Sequence, residues 1–375
     1  MNSGYNLCII KPNKSAFSET FIQEHINRLS GNKTVLYGGA FPVYDEDGNY
    51  LIKSKIGLLS YLIQKKIFKK QNIKIRTNSL VSYLKTNKID VVFAEYGMVG
   101  ASVAEACRMA NVPLVIQFHG ADVHHKPTMK KYHDLYLRAF EYASAFIAVS
   151  KDMVKELIKL GAPADKVFYN PCGVNTAMFV PVNVEKSKHN FLAVGRFVNK
   201  KAPLATIKAF KLVSDEVPNA HLWMVGRGPL LEAAEQLTVD IGLTGQITFA
   251  GVLPSEQIAE LMKQMRCFVQ HSVTSADGDM EGTPVTILEA AASALPIVST
   301  THAGIKEAVI DGVTGFLVAE HDVKAMAEKM TFMVSSPQFA AQMGMAGREH
   351  MIKNYELSDR IATIDTIIQN AIKKK

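Results

Sequence analysis

Short runs of continuous Val, Ile, Leu and Phe alternate along this chain with longer stretches in which apolar positions recur every three or four residues. The runs at 5–10, 34–37, 91–96, 114–118 and 146–149 predict strands. Their unbroken apolar character suits parallel strands covered on both faces. Helical periodicity fills 102–110 and 151–160 between them, and the second of these stops at Gly161 with Pro163 just beyond. The alternation then restarts, with strands predicted at 191–194, 222–225, 247–249, 267–270, 296–299 and 316–318. Two rounds of strand–helix alternation predict an α/β protein built from two doubly wound units.

The boundary is predicted where Pro171-Cys172-Gly173-Val174-Asn175 leads to Pro181, followed by the polar linker Glu185-Lys186-Ser187-Lys188-His189-Asn190. This gives a first domain over 1–175, rejoined by a terminal helix over 355–375, and a second over 176–354. The length of 375 residues, 48% of them apolar, supports two cores of ordinary size.

No stretch approaches the ~20 apolar residues of a membrane span. The run Leu7-Cys8-Ile9-Ile10 is too short for a secretory signal. Cys8, Cys107, Cys172 and Cys267 lack any Cys-x-x-Cys spacing and read as reduced, buried thiols. The expectation is a cytoplasmic protein.

The net charge is +7, and its placement matters more than its size. Between Asp47 and Asp90 there is no acidic residue, but there are Lys53, Lys55, Lys65, Lys66, Lys69, Lys70, Lys74, Arg76, Lys85 and Lys88. Ile56, Leu58, Leu59, Leu62, Ile63, Ile67 and Phe68 interleave with them. A basic amphipathic helix of this kind can lie on an anionic membrane surface from the cytoplasmic side. The same pattern also fits a solvated helix face over a core stripe. No nucleic-acid motif accompanies the charge, so no nucleic-acid partner is expected.

Three clusters carry candidate chemistry. The first is Glu281-Gly282-Thr283-Pro284-Val285-Thr286-Ile287-Leu288-Glu289. Thr283 reads as an N-cap and Pro284 as the first helical residue. The free N–H groups and positive end of such a helix suit a diphosphate, and Gly282 allows close backbone approach. Pro284 to Glu289 spans ~7.5 Å along a helix axis, so Glu281 and Glu289 can flank a diphosphate. The second is Gly195-Arg196-Phe197-Val198-Asn199-Lys200-Lys201, a cationic loop after the first strand of the second half. Ligands of open α/β sheets bind at the carboxyl ends of strands, where an arginine fork and a lysine can grip phosphate. Either lysine is available for that role. The third is His119-Gly120-Ala121-Asp122, at a strand end in the first half. A lone histidine there is more often a satisfied structural residue than a ligand contact.

Neither half shows G-x-G-x-x-G after its first strand, which leaves a dinucleotide cofactor unsupported. Asp45-Glu46-Asp47 and Asp277-Gly278-Asp279 sit beside glycines in turn-like sequence, where Asp is favoured for local reasons, so no metal is expected.

Taken together, the motifs resemble glycosyltransferase family 4, the retaining enzymes of the GT-B fold. The matching pieces are His119-Gly120-x-Asp122, Pro171-x-Gly173-Val174-Asn175, Gly195-Arg196 through Lys201, Val225-Gly226-x-Gly228-Pro229, Phe249-x-Gly251 and Glu281-x7-Glu289. Ala303-Gly304-Ile305-x-Glu307 and Asp311-Gly312-x-x-Gly315 complete the match. Ser18-Glu19-Thr20-Phe21 and the 277–284 segment are similar to the exopolysaccharide branch, of colanic-acid type.

The resemblance implies two Rossmann-like domains facing a cleft, with the C-terminal helix returning to the first. It implies transfer of a hexose-type sugar from a UDP- or GDP-linked donor to a saccharide acceptor, lipid-linked in surface polysaccharide synthesis, without a metal. Arg196 and Lys201 would bind the diphosphate and stabilise the departing nucleotide. Glu281 would contact sugar hydroxyls, Glu289 the ribose, and His119 the reacting sugar. Gly251 and Val252 would approach the base. Gly282, Thr283, Pro284 and Val285 would line the diphosphate, and Asp122, Ser18 and Thr20 would complete the donor contacts. Retention would proceed by same-face attack with no protein nucleophile. A nucleotide-sugar epimerase or hydrolase, and a non-catalytic nucleotide-sugar-binding protein, are the alternatives.

Overall fold

The fold is described by a computed structural model covering residues 4–14, 19–67 and 73–374. The chain divides into two compact units, Met1–Asn170 with Ile361–Lys375, and Pro171–Arg360.

The first unit is built on six parallel strands: β1 (Asn6–Lys11), β2 (Asn32–Tyr37), β3 (Val91–Glu95), β4 (Leu114–Phe118), β5 (Ala145–Ala148) and β6 (Val167–Tyr169). Their order is β2-β1-β3-β4-β5-β6. Every residue of β3, β4 and β5 is buried, which is why these strands are continuously apolar in sequence. Strand β2 starts two residues before its predicted position. Asn32 pairs with Asn6 of β1, and their side-chain amides hydrogen-bond at 3.2 Å, so polar residues extend the ladder. Strand β6 was not predicted at all. It is a three-residue edge strand with Phe168 and Tyr169 exposed, too short to leave a period.

The second unit repeats the plan with β7 (Asn190–Val194), β8 (His221–Val225), β9 (Ile247–Phe249), β10 (Cys267–Gln270), β11 (Ile297–Thr300) and β12 (Gly315–Val318). The order is β12-β11-β10-β7-β8-β9, again all parallel. One apolar cluster runs through it from Phe191 and Phe210 to Met326 and Met351.

The two sheets are wound differently. Counting from its first strand, the second unit has the 3-2-1-4-5-6 order of dinucleotide folds, and the first has the 2-1-3-4-5 order of flavodoxin-like folds with one strand added. The strand order reverses between β7 and β10 in the second unit and between β1 and β3 in the first, while every strand keeps the same direction. Crevices for ligands open at such points, beyond the carboxyl ends of the strands.

Local signals set several helix boundaries. Ser150 caps the helix Lys151–Lys159 by accepting from the Met153 N–H, and Ser54 caps Lys55–Lys66 by accepting from Gly57. The terminal helix Leu357–Lys373 begins in the second unit and ends in the first. In the first unit, Asp365 accepts from the Ser30 N–H at 3.0 Å and the Ser30 hydroxyl at 2.9 Å. No helix among the described residues is long and apolar enough to cross a membrane.

Candidate functional site

In the second unit most of the candidate residues lie on the segments that follow β7, β9 and β10, around the point where strand order reverses. Gly195 and Arg196 follow β7 directly, and Gln270 ends β10. The loops are pressed together by backbone contacts. Gly226, after β8, donates to the Gly251 carbonyl at 2.6 Å. It sits at φ +134°, and a Cβ there would lie 2.0 Å from the Gly195 carbonyl oxygen, so only glycine fits. Gly251 also has a left-handed backbone, at φ +66°, with open space where a Cβ would point. Gly251 and Val252 thus follow β9 at the same carboxyl edge, Gly251 exposed and Val252 half-buried.

A cavity beside this crossing is lined by Gly195, Arg196, Lys201, Thr206 and Gln270. The Arg196 side chain is exposed at its rim. Lys201 is turned inward, with Nζ 3.2 Å from Glu281 Oε2 and 3.2 Å from Gln270 Oε1. Lys200 is committed elsewhere, bonding Asp279 Oδ1 at 3.0 Å and the Met280 carbonyl at 3.1 Å. The two lysines that sequence left equivalent therefore have different tasks: Lys200 holds the 277–280 turn and Lys201 faces the cavity. Burial lowers the Lys201 pKa, Glu281 opposes that, and the positive charges of Lys200 and Arg196 lower it further. A cluster of like charges of this kind raises the local positive potential.

Glu281 is buried, yet its pKa is lowered. Burial would raise it, and the charges of Lys201 and Lys200 outweigh that. One carboxylate oxygen takes the lysine; the other, Oε1, is buried and has no protein partner among the described residues. Buried acceptors are nearly always satisfied, so the open Oε1 is an exception among the buried polar atoms of this unit. The Glu281 backbone N–H donates to His302 Nε2 at 3.1 Å. That places the imidazole proton on Nδ1, which donates to Glu320 Oε1 at 2.6 Å. Glu320 in turn accepts from the Thr274 N–H at 2.8 Å. This chain of bonds fixes the loop bearing Glu281 and was not read from sequence. His302 and Glu320 are a buried histidine and an acid eighteen residues apart, with no motif to join them.

The helix expected from Pro284 runs from Val285 to Ala292, and its cap is not the predicted one. Pro284 is itself the N-cap, and no side chain caps the helix. The Thr283 hydroxyl instead accepts from the Cys172 N–H at 3.2 Å, so it is drawn to the chain segment opening this unit. The first N–H groups of the helix, at Val285 and Thr286, are left without intrahelical carbonyls and without a competing cap. Gly282 immediately precedes this opening. Thr286 Oγ1 reaches Gln270 Oε1 at 3.4 Å, which ties the helix start to the Lys201 cluster. Glu289 lies one turn further in, buried, and burial alone pushes its carboxyl up to about 8.

In the first unit, His119 stands at the end of β4. Its Nε2 lies 3.1 Å from Glu95 Oε2, and the other oxygen of Glu95 is 2.5 Å from His25 Nδ1. Burial raises the Glu95 pKa, but the charge and hydrogen bonds of His25 and His119 overcome it and hold it at about 2. The rings of Phe21 and Tyr96 pack on His119, with centroids 4.5 and 4.7 Å away. Asp122 points into the backbone: Oδ2 accepts from the His119 N–H at 2.8 Å and the Gly97 N–H at 2.9 Å. It anchors the two strand ends that carry Glu95 and His119. Thr20 opens the helix Thr20–Arg28, is exposed, and stands next to Phe21. Ser18 lies outside the described residues. Glu95 and His25 were missed in sequence, although a carboxylate closing the buried run Val91-Val92-Phe93-Ala94 is a usable signal.

The acidic pairs form turns. Asp45 Oδ1 accepts from the Asn49 N–H, and Asp277 Oδ1 accepts from the Ser275 hydroxyl and the Asp279 N–H.

Two sheets of this winding, with a cavity lined by Arg196 and Lys201 in the second, define the class of protein. Residues 64–178 match the family described as Glycosyltransferase Family 4, and residues 175–350 match Glycosyl transferases group 1. The chain belongs to glycosyltransferase family 4 and has the GT-B fold. It is 28% identical over 247 residues to the putative colanic acid biosynthesis glycosyltransferase WcaL of Escherichia coli, covering 65% of this chain and 61% of that one. It is 30% identical over 244 residues to the amylovoran biosynthesis glycosyltransferase AmsK of Erwinia amylovora, covering 64% and 60%. The match thus spans about three-fifths of these relatives. HepE of Anabaena, solved in complex with UDP and glucose, superimposes with a TM-score of 0.75 at 16% identity over 99% of this chain and 100% of that one.

Proposed function

We propose that this protein is a retaining glycosyltransferase of surface-polysaccharide synthesis, moving a hexose-type sugar from a UDP- or GDP-linked donor to a lipid-linked saccharide. The second unit binds the donor. Arg196 and Lys201 take the diphosphate together with the Val285 and Thr286 N–H groups. Glu281 Oε1 accepts a hydroxyl of the transferred sugar, and Glu289 accepts from the ribose. Positive charge at Arg196 and Lys201 stabilises the leaving nucleotide as the glycosidic bond breaks. The departing phosphate takes the acceptor's proton, so no protein nucleophile is assigned. In the first unit His119, fixed by Glu95 and Asp122, is the group for a sugar hydroxyl. The same cations supply the charge a divalent metal would otherwise bring, so transfer proceeds without one.

The observation that carries this reading is the orphaned Oε1 of Glu281 beside a lysine that is itself positioned by Gln270. Ligand-observed NMR over a panel of nucleotide sugars tests it. One donor should bind, and Arg196→Ala should weaken it roughly tenfold to a hundredfold, the loss of a charge-assisted contact. Equal binding of that donor by Arg196→Ala sinks the assignment. Product analysis without acceptor separates transfer from epimerisation or hydrolysis of the donor.

We place the protein at the cytoplasmic face of an anionic membrane. Ile56, Leu59 and Ile67 on the helix Lys55–Lys66 and just beyond it are 83%, 60% and 69% exposed. At ~100° per residue they fall with Ile63 inside an arc of about 80°, and Lys55 and Lys66 lie together along its Leu59 edge. An apolar stripe edged by cations matches an anionic lipid surface.

A further inference from the structure

His25 and Glu95 belong to none of the motifs, yet both bear on His119. Glu95 ends β3 and is fully buried. His25 reaches it from the helix Thr20–Arg28, and His119 reaches it from just past the end of β4. Glu95 is held ionised, and an ionised carboxylate can only accept. Both imidazoles must therefore donate to it. His25 does so through Nδ1–H at 2.5 Å and His119 through Nε2–H at 3.1 Å.

A buried carboxylate needs positive charge close by. His25 is placed to carry it. It lies in the last turn of its helix, where the partial negative charge of the helix end favours a cation. Its charge also acts on Glu95 more strongly than that of His119. Lys11, buried at the end of β1, is drawn by Glu19 and Glu95 alike. A second proton on His119 would crowd three buried cations around Glu95, so His119 stays neutral. Its one ring proton is then on Nε2, and Nδ1 is a bare acceptor. Nδ1 has no protein partner among the described residues. The rings of Phe21 and Tyr96, with centroids 4.5 and 4.7 Å away, oppose a flip that would exchange the two nitrogens.

We infer that His25 and Glu95 are positioning residues that fix the hydrogen-bond sense of His119, so that His119 meets its substrate through Nδ1 as an acceptor and selects a hydroxyl. The inference rests on the transferase reading for that hydroxyl belonging to the donor sugar; the tautomer does not depend on it. An imidazole free to change tautomer could accept from a hydroxyl or donate to an ether or carbonyl oxygen. With Nε2–H committed to Glu95, only the first remains. A sugar lacking the matching O–H leaves Nδ1 desolvated and unpaired, which is how a polar site rejects an analogue that a hydrophobic one would tolerate.

Two measurements on the full chain test this. Nitrogen-15 spectra of the histidine rings in ligand-free protein at neutral pH should show His119 protonated at Nε2 and bare at Nδ1. Protonation at Nδ1, alone or with Nε2, overturns the inference without any variant. In Glu95→Gln the amide offers one oxygen and one NH2 group to two donors; the charged His25 keeps the oxygen, and His119 should turn to the Nδ1–H tautomer. The second measurement takes the UDP- or GDP-linked sugar that binds in the panel and its monodeoxy analogues. One analogue should bind at least about tenfold more weakly than the parent to the wild type, and within about twofold of it to His119→Ala. Glu95→Gln should remove most of that one difference and leave those of the other analogues unchanged. His25→Asn, which keeps an N–H for Glu95, should retain most of it. Equal losses for the parent and every analogue in Glu95→Gln would make Glu95 a residue of the fold alone and overturn its positioning role. If no nucleotide sugar binds, the transferase reading fails while the tautomer result stands.

Discussion

Glu289 shows what burial does to a residue whose type was fixed by motif and whose charge was not. In the unfolded chain a glutamate titrates near its ordinary value; here burial lifts it to about 8. The folded state therefore holds more protons than the unfolded state between those two values, and stability falls as pH rises through that window. Glu289→Gln cannot lose a proton and should escape that fall. Thermal denaturation without ligand should show the wild type losing up to a few kcal/mol relative to Glu289→Gln between pH 5 and pH 9. Parallel pH profiles for the two proteins would contradict the burial argument. The same substitution should weaken nucleotide-sugar binding if the carboxylate accepts from ribose. Lys200 and Lys201 carry the complementary lesson. They are identical neighbours in sequence, and one short 3-10 turn sends one to Asp279 and the other to Glu281.

At the scale of elements, the buried parallel strands were legible because burial on both faces leaves a continuous apolar run. Strand β6 was not, because an exposed edge strand of three residues has no pattern to leave. The cap of the Val285–Ala292 helix was misread for a different reason. Thr283 has the right chemistry for a cap, but its hydroxyl is claimed by the Cys172 N–H, a partner more than a hundred residues away. The helix Lys55–Lys66 makes the clearest prediction. Each fully buried large aliphatic side chain is worth about 1.5–3 kcal/mol. Ile56→Asp/Leu59→Asp should reduce sedimentation with anionic vesicles more than tenfold while leaving the melting temperature nearly unchanged, since both side chains are exposed. Unchanged vesicle binding would show that this face serves something other than a membrane.

Over the whole molecule, the formal charge of +7 includes local clusters of cations. Arg196, Lys200 and Lys201 meet in the second unit; Lys65, Arg76 and Lys131 meet in the first. The proposal that Arg196 and Lys201 take the diphosphate predicts that transfer survives chelation: rates with and without EDTA should agree within about twofold, and abolition by EDTA would require a metal. The sequence by itself determined the alternation of strands and helices, because period and burial are local, and it singled out the charged segments 195–201 and 281–289. It did not determine winding order, which depends on which strands pair, nor the buried ties of Glu95 to His25 and His119 and of His302 to Glu320. Those arrangements join side chains far apart in the chain, and only tertiary packing brings such groups within hydrogen-bonding or Coulombic reach.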